Sequence, residues 1–241
     1  MSSPTKLRCG KIAAPTVKIW LTSLDDVDPT PARGVLSADE LARADRIVSS
    51  RRRRRFIARR WVARTLLAQE TGTAAEELVL EQRCQRCGEL HPASPLVAAG
   101  RRVWWSATSS AGLGALVIGK RRVGIDLERR VERRRREGIA RRFFSEGERF
   151  AMAGSAVRFL ELWTLKEAYL KALGKGLAGG LDALDCARLE PADDGWSSGT
   201  EHPGWRFRNL EVDPGFVAAL AVEGEPEGVQ LRYWAGHSPG A

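Results

Sequence analysis

Three acids and two lysines stand at spacings that could do phosphate chemistry: Asp126 and Glu128, then Lys166, Glu167 and Lys171. From Val123 to Glu128 the chain alternates, so a strand here turns Val123, Ile125 and Leu127 to one face and Gly124, Asp126 and Glu128 to the other. Residues i and i+2 of a strand lie roughly 6.5 to 7 Å apart, which lets two side chains converge on one ion. Gly124 is expected to leave open backbone beside them. The third acid sits in a helical pattern, where Phe159, Trp163 and Leu170 make an apolar stripe and Gly174 stands as a C-terminal cap. Glu167 falls on that stripe. A carboxylate turned inward needs a partner, which could be Lys171 one turn on or a metal ion shared with other acids. Carboxylates with few other ligands suit a hard cation such as Mg²⁺, which takes further oxygens from a substrate phosphate. Lys166 and Lys171 could then meet phosphate charge.

The two segments together, Gly124-Ile125-Asp126-Leu127-Glu128 and Trp163-Thr164-Leu165-Lys166-Glu167-Ala168-Tyr169-Leu170-Lys171, resemble the paired signature of the 4'-phosphopantetheinyl transferases of the broad-specificity, surfactin-synthetase-activating type. Arg142-Phe143-Phe144-Ser145 and Glu148 lie between them as in that family, and the similarity extends to Arg54-Arg55-Phe56, Arg64-Thr65-Leu66-Leu67 and Val212-Asp213-Pro214-Gly215-Phe216. It covers most of the chain. The resemblance implies an α+β fold of two similar α/β halves with the active site between them, residues 1–118 carrying coenzyme A phosphate contacts and 119–241 the carboxylates and catalytic helix. It implies Mg²⁺ on Asp126, Glu128 and Glu167, with Glu167 and Lys171 catalytic. Coenzyme A is implied to meet Arg52, Arg60, Thr65, Thr108, Ser109, Ser110, Lys166 and Lys171. The implied partner is an apo acyl or peptidyl carrier protein, acting with a monomeric enzyme.

Two departures from the family pattern stand out. Ser109 occupies the place of a histidine in a Ser-His-Ser triplet, and a hydroxyl donates a hydrogen bond without carrying charge. Pro92-Ala93-Ser94-Pro95 replaces a Gly-Lys-Pro tripeptide, leaving Arg101 or Arg102 as the nearest substitutes for its lysine. A degenerate, weakly coenzyme A-binding partner protein is therefore one alternative. Cys84, Cys87 and His91 resemble half a zinc site and lack a second pair of ligands.

The elements that must position these residues are legible in outline. Val17 to Leu21 reads as a strand with Trp20 inside, after a leader of residues 1 to 16. Ser37 followed by Glu40 is a capping box that opens a helix. A longer helix runs from about Arg51 to Glu70 and stops near Gly72. Its five opening arginines suit either a solvated face or a phosphate clamp. Val103 to Ala107 and Leu113 to Ile118 read as strands of a hairpin. Arg129 to Arg142 reads as an exposed loop running into a helix, a surface for an acidic partner, and residues 143 to 154 as a helical link. Strands are expected at Ala187 to Glu190, Trp205 to Leu210, Phe216 to Val222 and Val229 to Trp234, all in the second half, before a loose tail.

Composition bounds the rest. The chain has 241 residues, 43% of them hydrophobic, and a formal charge of +9, with 32 arginines among its 39 basic residues. Such a balance favours anionic partners. A nucleic-acid-binding protein stacking bases on Trp104 and Trp105 is the rival that composition allows, although it gives the acids no task. No apolar run reaches membrane-span length, no secretory signal opens the chain, and four scattered cysteines make no disulfide framework, so a cytoplasmic protein is expected.

Overall fold

The computed structural model describes residues 17–83, 90–92, 94–131, 136–175, 180–192, 194–226 and 228–235. In chain order its elements are β1 Val17–Ser23, α1 Ala38–Asp45, α2 Ser50–Thr71, β2 Glu81–Arg83, β3 Leu90–Pro92, β4 Leu96–Ala98, β5 Arg101–Ser110, β6 Leu113–Gly119 and β7 Val123–Arg129. Then follow α3 Arg136–Phe143, α4 Glu146–Met152, α5 Ala156–Ala172, β8 Glu190–Pro191, β9 Ser197–Ser198, β10 Trp205–Leu210, β11 Phe216–Glu223 and β12 Val229–Tyr233. One five-stranded sheet has the order β12-β1-β6-β5-β4, and a second has β7-β11-β10-β9-β8.

The two sheets repeat one plan. In the first, strand β1 and helix α2 are followed by β5 and β6, with β6 returning between β1 and β5; in the second, β7 and α5 are followed by β10 and β11, with β11 between β7 and β10. These are the two similar α/β halves that the resemblance implies. They pack sheet against sheet. Val17, Ile19, Leu21, Ala115 and Val117 of the first sheet meet Val123, Ile125, Leu127, Leu220 and Val222 of the second in one apolar cluster. On the outer faces, α2 lays Trp61, Val62, Leu66 and Leu67 against Trp105, Leu116 and Ile118, while α5 lays Leu165, Ala168 and Ala172 against Phe207, Ala219 and Ala221. The layers therefore run helix, sheet, sheet, helix.

Local chemistry fixes the ends of these elements. Ser37 and Glu40 form the full reciprocal capping box at α1, and Ser145 with Glu148 forms another at α4. Helix α2 stops at Gly72 in the left-handed conformation. Beyond α5, Gly174 has a φ of 68°, its N–H donates to the Lys171 carbonyl, and the Lys175 N–H donates to the Leu170 carbonyl, which is the Schellman pattern. The β5–β6 hairpin turns through Ala111 and Gly112, both at positive φ, as a type I′ turn requires.

Three expectations need correction. Val229–Tyr233 is no part of the second sheet: it crosses back and pairs in parallel with β1, so the first sheet takes its edge strand from beyond residue 118. Ala187 to Glu190 is a 3₁₀ turn at Cys186–Arg188 followed by a two-residue strand, because Asp185 caps the turn by accepting from the Ala187 N–H. Trp20 points away from the inter-sheet core towards α2 and is half-buried, since alternation gives the sheet interface to Val17, Ile19 and Leu21. The leader, Cys84 and Cys87 lie outside the described residues, as does the side chain of His91. No helix among the described residues is long and apolar enough to cross a membrane.

Candidate active site

Strand β7 divides its side chains as alternation dictates. Val123, Ile125 and Leu127 enter the inter-sheet core, and the opposite face turns to α5. At Gly124 that helix comes so close that a Cβ would meet the Ala168 carbonyl oxygen at 2.0 Å and the Ala172 nitrogen at 2.6 Å. The space expected to be open beside the acids is thus filled by helix backbone. Glycine here is a condition of helix docking rather than of ligand access.

Asp126 lies one pleat further along and is buried. Its Oδ1 accepts from Lys171 Nζ at 2.6 Å and from Thr108 Oγ1 at 3.0 Å. Its Oδ2 is buried with no hydrogen-bond partner among the described residues. Glu128, half-buried, accepts from the Ser110 hydroxyl at 3.1 Å. Ser110 also accepts from the Arg129 N–H, and Ser106 from the Ile125 N–H, so alternate residues of β5 clasp β7 across the junction of the two sheets. Glu167 lies on α5 and is buried, the inward-facing carboxylate that the helical pattern implies. The structure therefore brings Asp126, Glu128, Thr108, Ser110 and Lys171 to one junction.

The donor set fits a hard divalent cation in one respect and not in another. A buried carboxylate oxygen without a donor, beside a second carboxylate on the same strand face, matches the one or two protein carboxylates that usually hold Mg²⁺. Three acids, however, do not gather: among the described residues no group of three His, Cys, Asp or Glu side chains is close enough to hold an ion. The Lys171 ammonium already stands against Asp126. As placed, Asp126 and Glu128 are the pair that fits.

Two residues expected to meet coenzyme A are engaged within the protein. Arg60 is buried and paired with Glu40 and with Glu81, alongside Arg64, whose Nε donates to Glu40 at 2.7 Å. Glu40 is drawn below the usual carboxylate range by Arg60, by the Ser37 N–H and by Arg64, against an opposing push from burial that is the largest single influence. Lys166 is buried, 2.7 Å from Glu148, and donates to the carbonyls of Leu181 and Leu184. All three of its donors are used. Glu148 in turn accepts from the Ser145 and Cys186 N–H groups at 2.8 Å each. This buried pair ties α4 and the 181–186 turn to α5 one residue before Glu167.

A separate hollow of about 200 Å³ opens between the start of α2 and the β5–β6 hairpin, lined by Arg52, Arg55, Phe56, Arg59, Ser109 and Gly112 among others. Arg52 is exposed there, Thr65 is half-buried further along α2, and Ser109 points to the α2 side of β5, opposite Thr108. Arg59, not singled out from the sequence, lines this hollow, which Arg60 does not. Helical arithmetic could have found it, since residues 52, 55 and 59 share a face and 60 is turned about 100° away. Arg101, proposed as a lysine substitute, donates to the Glu70 carbonyl at the end of α2. Trp105 is buried and Trp104 lies under the Arg122 guanidinium, so the tryptophans offer no open stacking platform for nucleic acid.

A family model for the 4'-phosphopantetheinyl transferase superfamily matches residues 122–221, which include β7, α5 and β11. The chain is 30% identical over 229 residues to the 4'-phosphopantetheinyl transferase HetI of Nostoc sp., covering 90% of this chain and 91% of that one. It is also 45% identical over 60 residues to the transferase gsp of Aneurinibacillus migulanus, covering 23% of this chain and 24% of that one. With the transferase ffp of Bacillus subtilis it shares 31% identity over 90 residues, covering 35% and 40%. By its fold and by kinship over nine-tenths of its length, the chain belongs to the 4'-phosphopantetheinyl transferase family, enzymes that transfer phosphopantetheine to carrier proteins.

Proposed function

We propose that this protein transfers the 4'-phosphopantetheine arm of coenzyme A to a serine hydroxyl of an apo acyl or peptidyl carrier protein, as a transferase of the broad-specificity type. The observation that carries the reading is the divided state of Asp126: one oxygen saturated by Lys171 and Thr108, the other buried, without a donor, beside Glu128. Asp126 and Glu128 would hold Mg²⁺ from β7, while Glu167 on α5 would be left to act as a base. Bound there, the ion would neutralise charge on the pyrophosphate and help fix its geometry.

The remaining work falls to side chains. The serine oxygen attacks the phosphorus that carries the pantetheine arm, the bond from that phosphorus to the bridging oxygen breaks, and adenosine 3',5'-bisphosphate leaves. Glu167 takes the serine proton, and the Lys171 ammonium offsets negative charge building on the departing phosphate. Such transfers depend chiefly on alignment and charge neutralisation. The exposed arginines Arg129, Arg130, Arg141 and Arg142 suit an acidic carrier protein by speeding encounter and fixing register.

The test is intact-protein mass spectrometry of apo carrier proteins incubated with the enzyme, coenzyme A and Mg²⁺. Addition of one phosphopantetheine arm, lost with EDTA and lost in Glu167→Gln while circular dichroism stays native, is the expected result. Normal transfer by Glu167→Gln would remove Glu167 from the chemistry. No transfer to any carrier by the folded wild-type protein would overturn the proposed donor or acceptor.

A further inference from the structure

Three alternate residues of β5, Ser106, Thr108 and Ser110, present hydroxyls on one face of the strand, and all three engage β7 of the other half. Two of them end on the acids. We infer that Thr108 and Ser110 are positioning residues: they act on the reaction through Asp126 and Glu128, by holding both carboxylates in the arrangement that takes a divalent cation, and not by touching coenzyme A. This role rests on the metal reading above and differs from the donor contacts that the family resemblance implies for these hydroxyls.

The direction of each hydrogen bond is set by its partners. Thr108, itself buried, donates to Asp126 Oδ1 at 3.0 Å. Its β-branch restricts χ1, so the hydroxyl has few other directions to take. Lys171 Nζ reaches the same oxygen at 2.6 Å. Together these two donors fix how the carboxylate is turned and leave Oδ2, buried with no hydrogen-bond partner among the described residues, as the oxygen for an ion. Ser110 is held at both ends. Its Oγ accepts from the Arg129 N–H at 3.1 Å, so its own hydrogen is directed at Glu128 Oε2, 3.1 Å away. The backbone of β7 thus orients a hydroxyl that in turn orients the side chain of the preceding residue.

Carboxylates that bind metals are generally hydrogen-bonded in turn, and losing such a partner costs about 10- to 100-fold in metal affinity or activity. Here the partners come from the opposite half: β7 belongs to the second sheet and β5 to the first. Ser109, between the two hydroxyls, faces α2 instead, where Arg59 donates to it at 3.4 Å. Alternation along β5 therefore separates two tasks, giving residues 108 and 110 to the acids and residue 109 to the hollow.

The test titrates Mn²⁺ into the protein without coenzyme A and reads free Mn²⁺ by electron paramagnetic resonance, for wild type, Thr108→Val, Thr108→Ser, Ser110→Ala and Asp126→Asn. Thr108→Val keeps the shape and removes the hydroxyl, whereas Thr108→Ser keeps the hydroxyl and removes the methyl group. One site is expected in wild type and none in Asp126→Asn. Thr108→Val and Ser110→Ala should bind Mn²⁺ about 10- to 100-fold more weakly, and Thr108→Ser should stay close to wild type. Should Thr108→Val fail to fold, Ser110→Ala, at a half-buried position, carries the same comparison. A second arm follows transfer to one carrier protein. Thr108→Val should raise the Mg²⁺ concentration that gives half-maximal rate and leave the KM for coenzyme A unchanged once Mg²⁺ saturates. A KM for coenzyme A raised at every Mg²⁺ concentration would make Thr108 a donor contact and overturn the inference. So would unchanged Mn²⁺ affinity in both hydroxyl-deletion variants with only a lowered melting temperature, the result that a purely structural clasp predicts. Wild-type protein that binds no Mn²⁺ would instead sink the metal reading itself.

Discussion

At the scale of single residues, the short signature Lys166-Glu167 joins two roles that neighbouring side chains divide between them. Lys166 is an internal strut and Glu167 is the base of the proposed reaction, although both are buried. Removing one member of a buried ion pair leaves the other charged and uncompensated, so Lys166→Met should lower stability by about 3 to 5 kcal/mol in urea unfolding. Cys186 is a second reporter of this region. Burial is the main cause of a thiol pKa pushed far above its ordinary value, with the Lys166 charge opposing it. A raised pKa keeps the thiol protonated and unreactive in the folded protein even at mildly alkaline pH. Native alkylation at about pH 8.5, near the ordinary thiol pKa, followed by peptide mapping should leave Cys186 unmodified, and the same treatment in denaturant should label it. Residue type alone does not separate the arginines: Arg59 and Arg60 are adjacent and chemically identical, and the direction each takes from α2, which helical phase fixes, assigns one to the hollow and the other to Glu40.

At the scale of elements, the legible features were those with local causes. The Ser37–Glu40 capping box, the stop at Gly72 and the strand alternation from Val123 to Glu128 depend on residues a few positions apart, and each is present as read. Gly124 was recognised as special for a different reason, because the partner that requires it is α5, some forty residues away. Gly124→Ala is expected to force α5 off the sheet, costing about 1 to 3 kcal/mol or more as an overpacked contact and displacing Glu167. Gly138→Ala on α3 is the control, since a Cβ there meets nothing within 4 Å and should be neutral or gain up to about 1 kcal/mol from helix propensity. Thermal unfolding of both variants, with transfer rates, would separate a packing requirement from a general intolerance of substitution.

At the scale of the whole molecule, the duplicated plan explains why the site lies where it does: β5 of one half supplies hydroxyls and β7 of the other supplies acids, so the junction exists only once both sheets have met. The last strand shows the limit of reading by segment. Nothing local in Val229 to Tyr233 says which sheet it joins, and its parallel pairing with β1 is a long-range choice, reinforced where Trp234 packs edge-on against Trp61 of α2. Removing residues 225–241 should leave the β1 edge unpaired, lowering the unfolding midpoint and increasing aggregation in light scattering. During synthesis the consequence is one of order. While the ribosome is still making the second half, β1 has no neighbour on one side, and its backbone amides and carbonyls on that edge stay open to any passing strand. The β1 edge is protected only once Val229–Tyr233 has emerged and paired, and until then it is the edge on which a chaperone would matter most.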